Sequence, residues 1–159
     1  MKHTISALVE NRPGVLAKIS GLFSARGFNI SSLTVGETEV PDVSRMTIVV
    51  TGDDRTLEQV VKQLNKLPDV LKVIDFKNEE FIERDLLLIK VSATKETRRE
   101  IFEVANVFRA NVVDISLDSC TLELTGKETK IQAFVKILEP YGIKEMVRAG
   151  IVALARGKK

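Results

Sequence analysis

Apolar residues recur along this chain in two rhythms, one of period two and one of period three to four, and the order in which they alternate predicts the elements. Ile5 to Val9 is an apolar run of strand length that ends at Glu10-Asn11-Arg12. Val15, Leu16, Ile19, Leu22 and Phe23 then follow at helical spacing, with Pro13 at the expected first position of the helix and Gly27 as its stop. Asn29 to Val35 reads as a second strand, and Gly36 to Asp42 as the turn out of it. Met46, Ile48 and Val50 alternate with Arg45, Thr47 and Val49, which predicts a third strand buried on one face. Gly52-Asp53-Asp54 offers a carboxylate cap to a helix whose stripe is Leu57, Val60, Val61, Leu64 and Leu67. Pro68-Asp69 closes that helix, and Val70 to Phe76 is a fourth strand.

The same order returns after a charged stretch without a period, residues 78–84, which reads as a linker. Leu86 to Val91 is a strand, and Ile101, Val104, Ala105 and Phe108 mark a helix. Val112 to Leu117 and Cys120 to Leu124 are two strands turned by Asp118-Ser119. Thr125-x-x-Glu128 has the spacing of a capping box ahead of a helix with Ile131, Phe134, Val135 and Leu138. Ile143 to Val147 is the last strand. Two βαββαβ units predict an α+β chain of two tandem ferredoxin-like sandwiches, a first domain at 1–77 and a second at 85–159. Each unit is small and leaves sheet edges and one sheet face open. The apolar segment Gly150 to Ala155 finds no place in the second unit. Both features point to an oligomer or a partner. Mid-helix Gly21 reads as a close helix contact.

Composition removes several classes of function. The 159 residues carry 24 basic and 22 acidic side chains, a net charge of +2, which gives no general attraction to nucleic acid or to an anionic membrane. Arg156, Lys158 and Lys159 read as a solvated basic tail. Cys120 is the only cysteine, so no internal disulfide forms and a cytoplasmic setting is expected. No stretch approaches the ~20 apolar residues of a membrane span, and the N-terminus runs straight into a strand pattern. An RNA-binding module of the same order would carry aromatics on its central strands, and Arg45 to Thr51 and Ser119 to Leu124 carry none. A metal carrier would show a Cys-x-x-Cys pair. One histidine, His3, and scattered carboxylates make no catalytic constellation. No catalytic residue, bound cofactor or metal is expected on this chain.

One segment can hold a ligand. Asn11-Arg12-Pro13-Gly14-Val15-Leu16 joins the first strand to the first helix, where unpaired N–H groups and a partial positive charge favour an anion. Gly14 has no side chain to block approach, and the Asn11 carbonyl can accept from an ammonium group. Anion donors beside an ammonium acceptor suit the head group of an α-amino acid, and Asn29 is a second polar group of that kind. Charge-assisted hydrogen bonds of ~1.5–3 kcal/mol and burial of a valine-sized side chain at ~1.5–3 kcal/mol allow a micromolar-range constant. Asn, Pro and Gly are also common turn and capping residues, so the pattern alone leaves both readings open.

The segment Glu10-Asn11-Arg12-Pro13-Gly14-Val15-Leu16 with Gly27-Phe28-Asn29-Ile30 resembles the signature of ACT domains. The whole chain is similar to the small regulatory subunits of acetohydroxyacid (acetolactate) synthase, including Asn29 to Gly36, Leu67-Pro68-Asp69-Val70 and Glu83-Arg84-Asp85-Leu86. The resemblance implies a homodimer whose ACT domains pair side by side, with valine, or else leucine or isoleucine, between the first helix of one chain and the second strand of the other. It implies that the Gly14 and Val15 amides hold the carboxylate, that Asn11 and Asn29 meet the polar head group, and that Asn29 and Ile30 come from the neighbouring chain. Leu16 and Val35 are implied for the apolar wall. It also implies a catalytic subunit as partner, which would carry the thiamine diphosphate, FAD and Mg²⁺. Regulation of another biosynthetic enzyme, or of transcription, is the alternative for an ACT-type sensor. Ser92-Ala93-Thr94-Lys95-Glu96, at the equivalent place in the second unit, lacks both Asn and Pro-Gly. That unit is expected to keep the fold without the pocket and to supply a second dimer contact and contact with the catalytic subunit.

Overall fold

The computed structural model describes residues 1–157; Lys158 and Lys159 of the expected basic tail lie outside the described residues. The elements run β1 (Lys2–Glu10), α1 (Val15–Arg26), β2 (Asn29–Glu37), β3 (Val43–Thr51), α2 (Asp54–Asn65) and β4 (Val70–Asp75). They continue with β5 (Phe81–Ser92), α3 (Lys95–Phe108), β6 (Asn111–Ile115), β7 (Ser119–Gly126), α4 (Glu128–Leu138), β8 (Ile143–Arg148) and β9 (Val152–Ala155). The described chain forms two compact units, residues 1–82 with 151–157, and residues 83–150.

In the first unit the sheet order is β2-β3-β1-β4, all neighbours antiparallel, which is the ferredoxin-like order. Odd-numbered β1 residues Ile5, Ala7 and Val9 and even-numbered β3 residues Met46, Ile48 and Val50 point to one face. They meet Val15, Ile19 and Phe23 of α1 and Leu57, Val60 and Leu64 of α2 there. Asp53 caps α2 by accepting from Thr56 N–H at 2.8 Å, as its spacing predicts. The second unit repeats the plan with order β6-β7-β5-β8 and a core of Leu87, Ile89 and Val91 against Ile101, Leu122, Ile131 and Phe134. Cys120 is buried in that core, and burial pushes its thiol pKa up, as befits a packing residue.

Several boundaries differ from expectation, each for a local reason. β3 is buried on both faces, Thr47 and Val49 included, and the C-terminal segment returns to Thr34 and Ser32, the β2 residues that pair with those two. Ile151 and Ala153 are buried, Ile151 N–H donates to Ser32 Oγ (3.1 Å), and Thr34 Oγ1 donates to the Ile151 carbonyl (2.9 Å). β9 runs with β5, whose first residues Phe81 and Ile82 belong to this unit, and Arg156 N–H donates to the Glu80 carbonyl. By contact, residues 151–157 belong with the first unit, while β9 pairs with β5, and the apolar tail finds its place. The segment expected as a linker is already strand from Phe81, and Phe81 stacks on Phe76 at 4.8 Å. Thr125 lies inside β7, so α4 begins at Glu128 with Lys127 as an uncapping neighbour and no capping box there. The box belongs to α3, where Thr94 and Thr97 each bond the other's backbone N–H. Gly21 makes no close contact, since a Cβ at that position would meet nothing within 4 Å.

Ile151→Ala is expected to cost about 2–3 kcal/mol, the usual price of a large-to-small change at a buried site. Hydrogen exchange should locate the loss in β1 and β3, with β7 amides unchanged.

Candidate functional site

Glu10 ends β1, and α1 does not begin until Val15, two residues later than the expected start at Pro13. The delay has a backbone cause. Gly14 adopts the left-handed conformation (φ 85°, ψ −10°), which an α-helix cannot include, so Pro13 stays outside and Gly14 becomes the N-cap. No side chain caps this helix start. Val15 N–H reaches back to the Arg12 carbonyl at a long 3.4 Å, and the first intrahelical bond is Lys18 N–H to the Gly14 carbonyl at 3.0 Å. The amides of the opening turn are therefore weakly engaged, at the positive end of the helix dipole.

Around them lies a cleft of about 330 Å³ lined by Arg12, Pro13, Gly14, Val15, Lys18 and Asp69. Asn11 holds its place through its backbone N–H, which donates to the Asp42 carbonyl at 2.8 Å. Its side-chain Nδ2 donates to Glu37 Oε1 at 3.2 Å, which leaves the Asn11 carbonyl oxygen directed to other donors. Asp69 is the buried charge here, its side chain 6% exposed. Oδ1 accepts from Arg12 Nη2 (2.7 Å) and Oδ2 from Lys18 Nζ (2.9 Å). Arg12 also pairs with Glu10. Hydrogen bonds from Lys18 and then Arg12 hold the Asp69 carboxyl below the usual carboxylate range. A lowered folded pKa means that this contribution is complete above the ordinary carboxylate value and is lost as pH falls through the folded one.

Asn11, Gly14, Val15 and Leu16 are thus brought together, and Leu16 is exposed beside the helix start. Val35 lies two residues before Glu37 on β2; it pairs with core-facing Met46 and so faces the helix side, yet remains 43% exposed. Asn29 and Ile30 are not brought to this group. Asn29 pairs with Thr51, which pairs with Lys2, at the far end of the sheet. Eight residue steps of β2 separate Asn29 from Glu37, about 26 Å. Ile30 is half-buried against its own unit's core. Sequence reasoning missed Glu37, Arg12, Lys18 and Asp69. Asp69 looked like a helix-closing turn residue, and only its burial reveals the ion pairs.

The second unit shows what a closed helix start looks like. Ala93 N–H donates to the Asp118 carbonyl just as Asn11 N–H donates to that of Asp42, so the two loops leave their sheets alike. α3 then starts at once, and Thr94 Oγ1 accepts from Thr97 N–H. One of its opening amides is thus taken by its own capping side chain, where α1 has none. Asn111 opens β6 as Asn29 opens β2, after a left-handed Arg109 that matches left-handed Gly27.

Two tandem ferredoxin-like units, the first with an open helix start after β1, define the ACT class of regulatory chain. Comparison with known proteins gives the family. Residues 5–72 match the ACT domain of acetohydroxyacid synthase small subunits, and residues 84–157 match the small subunit of acetolactate synthase. The chain is 58% identical over 159 residues to a probable acetolactate synthase small subunit of Archaeoglobus fulgidus, covering 100% of this chain and 99% of that one. It is 53% identical to the acetolactate synthase small subunit of Mycolicibacterium smegmatis, covering 99% of this chain and 92% of the relative. A crystal structure of the acetolactate synthase small subunit from Thermotoga maritima is similar throughout, with a TM-score of 0.91 at 43% identity, covering 100% and 99% of the two chains. The chain belongs to the family of acetolactate synthase small subunits.

Gly14 and Gly21 make a paired prediction. Alanine at Gly14 meets open space but a left-handed backbone, and should cost about 1–2 kcal/mol. Alanine at helical Gly21, also in open space, should stabilise by roughly 0.5–1 kcal/mol. Denaturant unfolding of both variants checks the opposite signs.

Proposed function

We propose that this small subunit is the feedback element of acetolactate synthase: it binds the catalytic subunit, raises its activity and makes it sensitive to valine. The observation that supports this most is the division of the expected effector residues between the two ends of β2. Asn11, Gly14, Val15, Leu16, Val35 and Glu37 gather at one end, whereas Asn29 and Ile30 sit about 26 Å away at the other. A single chain cannot assemble them. β2 is an edge strand with exposed Leu33 and Val35, open to pairing with a second copy. An antiparallel two-fold centred on Leu33 sets Asn29 of one copy opposite Glu37 of the other. The two separated groups then meet, twice per dimer.

In that arrangement the weakly engaged amides at Gly14 and Val15 receive the effector carboxylate. The Asn11 carbonyl and the Glu37 carboxylate face its ammonium, and Leu16 and Val35 wall its side chain. The partner's contribution makes binding and dimer geometry one equilibrium, so the effector shifts it by its differential affinity for the two arrangements. The chemistry of the synthase belongs to the catalytic chain, where thiamine diphosphate, FAD and Mg²⁺ reside. The second unit, its helix start closed by Thr94, serves dimer and catalytic-subunit contacts. The complex works in the cytoplasm.

Calorimetry with valine on the isolated protein should show saturable heat. No heat with valine, leucine or isoleucine at millimolar concentration would sink the proposal. Leu33→Lys should separate the dimer in sedimentation and remove valine binding together; a monomer that still binds valine would exclude the shared site. Gly14→Asp should abolish valine feedback, because its carboxylate lies against the effector's.

A further inference from the structure

We infer that Asp69 is the positioning residue of the effector loop, holding both sides of the left-handed Gly14 so that the opening amides of α1 keep one geometry. This rests on the effector reading of that loop given above. Three bonds converge on this residue. Its backbone carbonyl accepts from Glu10 N–H at 2.9 Å, which anchors the end of β1. Oδ1 takes Arg12 Nη2 at 2.7 Å on the N-terminal side of Gly14. Oδ2 takes Lys18 Nζ at 2.9 Å on the C-terminal side, one turn into α1. Between these two cations the loop has little else to fix it. Gly14 is cap without a side chain, Pro13 lacks an N–H, and Val15 N–H has only its 3.4 Å bond to Arg12.

The internal repeat separates what the fold needs from what the site needs. β1 and β4 slip register between Leu8 and Val9, and β5 and β8 slip likewise between Lys90 and Val91. Val9 pairs with Val70 and Val91 with Ile143, so Asp69 corresponds to Gly142. The backbone bond is kept, Ser92 N–H to the Gly142 carbonyl at 2.8 Å. The carboxylate is not, and in that unit Thr94 already closes the helix start. A ferredoxin-like unit of this chain therefore needs the carbonyl at this position and not the side chain. The buried carboxylate occurs where the helix start is open. Asp69 also keeps Arg12 and Lys18 drawn to itself, so the incoming anion meets backbone amides and not swinging cations.

Asp69→Asn, which keeps the shape and the backbone carbonyl, tests this by calorimetry with valine and hydrogen exchange of the Asn11 and Lys18 amides, which bond the Asp42 and Gly14 carbonyls on either side of the loop. The expected result is valine affinity weakened by about tenfold, the change that a loss of about 1.4 kcal/mol produces. Exchange should accelerate at those amides, with β1 and β3 amides and the sedimenting mass unchanged, and Asp69→Glu should recover part of the affinity. Affinity equal to or tighter than that of the native chain would overturn the assignment, because it would mean that Asp69 competes with the effector for the cations. Unchanged exchange at Asn11 and Lys18 would overturn the clamp itself. No valine heat from the native protein would instead sink the effector reading, while the exchange result still decides the clamp. If Asp69→Asn does not fold, Lys18→Met removes one exposed partner, and the same two readouts should move in the same direction by less; native-like values would count against the assignment.

Discussion

The first turn of an α-helix has amides that its own backbone cannot satisfy, and in this chain the way each unit meets that constraint separates a capped helix from an open one. α3 meets it internally, with Thr94 and Thr97 exchanging bonds across the opening turn. α1 does not. Gly14 turns left-handed, Pro13 has no N–H to give, and the amides that follow face a cleft beside two cations. One backbone conformation thus stands upstream of the cleft, of the late helix start and of the need for Asp69 to hold the loop's two flanks.

Repetition makes these differences readable. Both units share sheet order, the same register slip beside the first strand, and the same backbone bonds where the strand leaves the sheet. Against that shared frame, the residues that differ stand out as candidates for function: Asn11 for Ala93, and Asp69 for Gly142. Asn29 does not stand out in this way, since Asn111 opens the corresponding strand. The part proposed for it therefore rests on the two-fold pairing of β2 and not on any local peculiarity.

Much of the fold was legible because period two and period three-and-a-half patterns follow directly from which face is buried. Asp53 as a cap and Cys120 as a core residue followed from local chemistry alone. What sequence could not show was contact across long separations. The return of Ile151 to Ser32 and Thr34 is one case, beside a strand of half-polar pattern that is buried on both faces. The Thr125 box failed because β7 runs on through Gly126, a tertiary pairing with Asp85 that outweighs a local capping pattern. At the site, Asn11 and Gly14 were visible from the loop's own chemistry, whereas Glu37 and Asp69 are brought there by strand pairing.

The path of β9 has a consequence for how the chain is made. Synthesis is vectorial, and domains generally fold as they emerge. Here the first unit is not finished when its own 82 residues have been made, because the segment that bonds Ser32 and Thr34 comes only after the second unit. The second unit, contiguous from Glu83 to Gly150, completes before the first. The unit that carries the candidate effector site is thus begun first and closed last, and its β2 edge acquires the support of Ser32 and Thr34 by the Ile151 backbone only at that final step.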